Sequence, residues 1–84
     1  MILACFTIHD SKAEAYMQPF FFPTRGLAIR TFTDMANDSQ SNIGRYPEDY
    51  TLFEIGHYDD QNATFQNHLT PVAVIKALDL VKES

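Results

Sequence analysis

The side chains that could do chemistry in this 84-residue chain are few and scattered. The three histidines, His9, His57 and His68, lie far apart, and none has the i, i+4 partner that a helical metal site uses. One cysteine, Cys5, cannot build a zinc knuckle or an intrachain disulfide. It sits in an apolar run, where a free thiol behaves as a small buried hydrophobe and not as a nucleophile. The carboxylate pairs Glu48-Asp49 and Asp59-Asp60 are adjacent in sequence and read as solvated turn residues. With three glycines there is no phosphate-cradling loop, and no nucleophile-elbow pattern occurs. The expectation is a protein without catalytic residues, metal or cofactor.

One cluster does suggest a partner. Tyr16, Phe20, Phe21, Phe22, Arg25 and Arg30 lie close together, with three consecutive Phe held between Pro19 and Pro23. Aromatic faces beside cations are what single-stranded nucleic acid requires, rings for the bases and basic groups for the phosphates. On that reading Lys12, Arg25, Arg30 and Arg45 serve phosphates, and Tyr16 and Phe21 serve bases. The competing reading keeps Phe20 and Phe22 in the core and turns Phe21 to the opposite side of a sheet. A second copy of the chain would then cover that side, making a homodimer.

Charge is unevenly distributed. The net charge is −5, from six basic and eleven acidic residues. Residues 1–45 balance Lys12, Arg25, Arg30 and Arg45 against Asp10, Glu14, Asp34 and Asp38, so the acidic excess belongs to the remainder. An acidic protein repels phosphate backbones at long range, which disfavours general DNA coating but leaves room for a local basic face. The acidic half, with Glu48, Asp49, Glu54, Asp59 and Asp60, suits instead a basic protein surface, such as that of a viral or host replication protein.

The elements that would position these residues follow from periodicity. Apolar content of 45% and charged content of 20% describe one globular domain. A chain this short buries roughly 60–65% of its unfolded surface. Ile2 to Ile8 reads as a buried strand, and Ala13 to Phe22 as its hairpin partner. Thr24 caps a helix whose stripe is Ala28, Ile29, Phe32, Met35 and Ala36, with Arg25, Arg30 and Thr33 off it. Polar residues from Asn37, with Gly44 and Pro47, make a loop of about ten residues, longer than the usual 4–6. Tyr50 to Tyr58 alternates, with Thr51, Phe53, Ile55 and His57 on one face and Leu52, Glu54 and Gly56 on the other. Asp59 to Asn62 turns into a short return strand, Ala63 to Asn67, with Phe65 expected in the core. Thr70-Pro71 looks like a helix start, with Val74, Ile75, Leu78 and Val81 as its stripe and Lys82 in its last turn. The fold class is therefore α+β: a small antiparallel sheet with two helices packed on one face, in the order β-β-α-β-β-α. No run of 18 apolar residues exists to cross a membrane, and the single cysteine points to a cytoplasm.

The ordered set Asp10-Ser11-Lys12-Ala13-Glu14-Ala15, Gln18-Pro19-Phe20-Phe21, Thr24-Arg25-Gly26, Arg30-Thr31-Phe32 and Pro47 through Gly56 with Asp59-Asp60 resembles the small nonstructural protein of gokushoviruses. These are single-stranded DNA phages of the microvirus family, and the resemblance runs from about residue 6 to residue 80. It implies a DNA-binding protein involved in viral single-stranded DNA synthesis. Such a protein acts in the infected bacterial cytoplasm and is not a capsid component. No catalytic residue is carried over with the resemblance.

Overall fold

The structure is a computed structural model and describes residues 1–82. Its centre is strand β1, Ile2–Asp10, paired antiparallel along its whole length with β4, Tyr50–Asp59. The outer side of β1 carries two short strands, β2 (Ala15–Tyr16) and β3 (Phe20–Phe22), and the outer side of β4 carries β5, Thr64–Lys76. The hairpin partner expected over Ala13 to Phe22 is thus an edge strand broken in the middle. Between the two pieces the chain stays attached through Met17, whose amide donates to the Ile8 carbonyl at 2.8 Å and whose carbonyl accepts from the Thr7 hydroxyl at 2.7 Å. Pro19 and Pro23 flank β3 on this edge, where a missing N–H breaks no inner ladder.

Helix α1, Arg25–Ala36, starts where Thr24 Oγ1 accepts from the Leu27 amide. Its buried positions, Ala28, Phe32 and Ala36, follow the helical period and press on Phe6, Ile8 and Leu52 of the sheet. The stretch after α1, expected as a loop of about ten residues, holds a short helix and a 3-10 turn. Ser41 caps a one-turn helix α2, Asn42–Arg45, and its hydroxyl also donates to the Met35 carbonyl. A Cβ on Gly44 would lie 1.9 Å from the Asp38 carbonyl oxygen, so this close approach of two backbones requires glycine. A 3-10 turn over Pro47–Asp49 leads into β4.

The architecture is α+β with a small antiparallel sheet and two α-helices, but the element order departs from the expected one. Thr70-Pro71 does not start a helix: strand β5 runs through both residues to Lys76, and a 3-10 turn, Ala77–Leu80, follows. The β-branched run Val72, Val74 and Ile75 suits a strand. Proline is accommodated because His68 to Pro71 stand outside the ladder. The register passes from Asn67 opposite Gly56 to Val72 opposite Glu54, so Pro71 removes no ladder hydrogen bond. Asn37 at the end of α1 ties down the final segment, its Nδ2 donating to the Leu80 carbonyl and its Oδ1 accepting from the Lys82 amide.

Register assigns the two faces, since residues opposite one another in an antiparallel pair project to the same side. Ala4, Phe6, Ile8, Leu52 and Glu54 face the helices. The alternation expected for β4 holds through Glu54 and then reverses. A bulge opposite Cys5–Phe6 inserts Ile55, so His57 shares a row with Ala4 and Tyr58 with Leu3. Phe65, expected in the core, pairs with Tyr58 on the far side and is exposed.

Candidate nucleic-acid interface

The face of the sheet away from the helices carries most of the unburied aromatic surface. Phe20 and Phe22 pack against Phe6 on the helix side, while Phe21, on the intervening position, projects to the open side and is 41% exposed. There it meets Tyr58 at 5.8 Å and Phe65 at 6.2 Å between ring centroids, and Tyr58 and Phe65 lie 4.7 Å apart. A second cluster forms toward the other end of β1, where His9 lies 4.6 Å from Tyr16 and 6.2 Å from Phe53, with Tyr16 and Phe53 at 5.6 Å. The core holds these rings from behind through the backbone of β1 and β4, and they present faces and edges outward.

The charge on this face is unlike that of the chain as a whole. The row that holds His9 and Tyr16 continues through Thr51 to Lys76. Among the described residues, no Asp or Glu occupies the paired rows of this side. Asp10 is opposite Tyr50, Asp59 is opposite Ile2 and Glu54 is opposite Phe6, all of them in rows of the helix side. Lys12 lies in the turn between β1 and β2, where Asp10 Oδ1 accepts from the Lys12 and Ala13 amides.

The six residues singled out from the sequence do not form one site. Tyr16 and Phe21 share the open face. Lys12 is exposed near the Tyr16 end. Arg25 belongs to the opposite layer and is engaged: its Nε donates to Glu54 Oε1 at 3.2 Å and its Nη2 lies 3.2 Å from Oε2. Arg30 is exposed on α1, and Arg45 is exposed in the last turn of α2. The arginines therefore border the helix layer, away from the exposed rings.

The residues that sequence reading missed are Phe53, Tyr58, Phe65 and Lys76 on the open face and His68 beside Glu54; Glu54 itself, expected on the acidic surface offered to a basic partner, is buried and already paired. Alternation alone placed Phe53 opposite Leu52, but nothing local told which side the helices would cover. Glu54 is 5% exposed, and His68 Nε2 approaches its Oε2 to 2.6 Å. Burial by itself would raise this carboxyl. The hydrogen bonds from Arg25 and His68, together with their positive charge, outweigh burial and hold it below the ordinary glutamate value. The node ties α1, β4 and the bulge of β5 together, and His57 sits edge-on to His68 at 5.7 Å. The Cys5 thiol is pushed up by burial, away from thiolate reactivity. No group of three metal-ligating side chains occurs among the described residues, and no helix there is long and apolar enough to cross a membrane.

Sheet, helices and ring clusters define a small α+β domain that covers one side of its sheet and presents aromatics on the other. The model of the phage ORF5 protein family matches residues 3–80, and the chain belongs to that family of bacteriophage proteins. Protein ORF5 of Chlamydia phage 1 is 38% identical over an alignment 64 positions long that covers 71% of this chain and 67% of that protein. No solved structure matches the chain.

Proposed function

We propose that this chain is a non-catalytic phage protein that assists viral single-stranded DNA synthesis in the host bacterial cytoplasm by binding single-stranded DNA. The observation that carries the reading is that Tyr16 and Phe21 are both exposed on the face free of helices, with further rings beside each. Exposed aromatic rings on a sheet are stacking platforms for unpaired bases. Membership of a bacteriophage family supports the biological setting. A salt-titrated anisotropy assay with a labelled single-stranded oligonucleotide tests it: saturable binding at low salt that weakens as salt rises is expected, and no binding at low salt overturns it.

A second reading rests on a different region. Asp10, Tyr46, Glu48 and Asp49, with Lys12 and Tyr50, line an open concavity of about 340 Å³. This net acidic hollow suits a basic side chain of a viral or host replication protein, in which case the chain acts without touching DNA. Capture of such a partner from infected cells that survives nuclease treatment, and is lost in Glu48→Lys, would favour this reading.

A further inference from the structure

We infer that the ligand of the open face is a drawn-out single strand whose bases stack on the rings of that face, and that Lys76, not the arginines near α1, meets its phosphates. The inference rests on the DNA-binding reading above and assigns its site. Three observations on the face carry it.

The first is the arrangement of rings. Six rings, Tyr16, His9, Phe53, Phe21, Tyr58 and Phe65, lie on rows that cross the sheet at successive outward positions of β1: His9, Thr7, Cys5 and Leu3. Outward positions two residues apart on a strand are separated by about 6.6–6.8 Å. That is about twice the 3.4 Å per base of a stacked strand. Successive rows therefore meet successive bases when the strand is stretched and its bases are unstacked. Four rows give a site of roughly four nucleotides, at the low end for small single-strand-binding folds.

The second is charge. In a chain of net charge −5, the paired rows of this side hold Lys76 and His9 and, among the described residues, no carboxylate. The acidic strand residues Asp10, Glu54 and Asp59 all fall on rows of the other side. An anionic ligand with planar faces is thus repelled from most of the molecule and admitted here. The third is that Arg25 is already committed to Glu54. Recruiting it to a phosphate would leave a buried carboxylate without one of its two partners.

The test compares labelled single-stranded and duplex oligonucleotides against the whole protein, with thermal unfolding and sedimentation run on each variant. Phe53→Leu and Tyr58→Leu keep apolar bulk while removing the ring. Each is expected to weaken single-strand binding roughly ten-fold, with folding retained. Tyr58→Phe retains the ring and should retain binding. Lys76→Ala should weaken binding and flatten the salt dependence. One phosphate contact on a single strand predicts a slope of log affinity against log salt of about −0.7, against about −2.8 for a site using Lys12 and all three arginines. Arg25→Ala with Arg30→Ala should leave the affinity unchanged at fixed salt. Duplex, whose base faces are hidden, should compete poorly.

If the wild-type chain binds no single strand, both the functional reading and this assignment fall. If it binds, but the arginine double variant abolishes binding while the leucine variants do not, the functional reading stands and the assignment is overturned. The assignment also falls if duplex binds as well as single strand, or if the ring variants shift the sedimentation of the free protein and leave DNA binding unchanged. That last result gives the face to a second copy of the chain.

Discussion

The two sides of one sheet use the same residue types for different ends. On the helix side Phe6 is completely buried, Phe32 reaches 1% exposure, and Phe20 and Phe22 pack around them. On the other side Phe21, Tyr16 and Phe65 keep between two-fifths and three-fifths of their surface in water. Burial of a ring returns its transfer free energy to folding, whereas an exposed ring retains that free energy for whatever later covers it. The difference teaches that aromatic content alone does not locate the core of a small domain; the side on which a helix lands does.

The sharpest way to break this comparison is to truncate one ring on each side. Phe32→Ala removes a fully enclosed ring and should cost about 3–5 kcal/mol, enough to unfold a large fraction of a domain this small. Phe65→Ala removes a ring already more than half in water and should cost less than about 1 kcal/mol. Urea denaturation midpoints at constant m-value report both. Equal losses would mean that the open face is as much a core as the covered one.

A smaller effect is expected where backbones touch in the helix layer. Gly44→Ala forces a Cβ against the Asp38 carbonyl, a backbone group that cannot swing aside, and should destabilise by about 2–3 kcal/mol. Gly26→Ala is the control: its added Cβ comes no nearer than 3.9 Å to Thr24 Oγ1, and in the first turn of α1 the change should be neutral or slightly stabilising.

The Glu54 node should show itself in acid. Because the folded state holds this carboxyl below its unfolded value, its contribution to stability is fully present above the unfolded carboxylate pKa of about 4.3 and is lost as pH falls through the lowered folded value. Glu54→Gln should cost about 1–2 kcal/mol near neutrality and correspondingly less at about pH 3, so wild-type and variant stability curves converge in acid. Curves that stay parallel would remove the node from the list of stabilising contacts.

The smallest expected change is a gain. Ala63 holds φ at 58° in the turn between β4 and β5, a region that costs an L residue with a Cβ. Ala63→Gly relieves that strain but adds unfolded-state entropy, leaving a net gain of about 0.5 kcal/mol in thermal or urea unfolding.

Much of the local structure was legible. Thr24 with the stripe Ala28, Phe32 and Ala36 announced α1, and the apolar run from Ile2 announced β1, because these signals lie within one element. The triple Phe announced its own alternation for the same reason. Thr70-Pro71 misled because an N-cap followed by proline is a local helix signal, while what holds these residues extended is the ladder that flanks them, Asn67 with Gly56 and Val72 with Glu54. The pairing of Arg25 with Glu54 was illegible, since 29 residues separate them and neither carries a local signature of the other.

The sequence by itself determined strand β1, helix α1, the alternation of the triple Phe, the division of charge and the family, because each depends on residues near one another in the chain. Only the tertiary structure decided which side of the sheet the helix covers. That choice follows from the packing of α1 on β1 and β4, contacts made between distant segments, while the bulge at Ile55 brings Tyr58 to the side of Phe21. It turns Phe20 and Phe22 inward and leaves Phe21 outward with Tyr58 and Phe65, and it sends Arg25 to Glu54 instead of to the exposed rings.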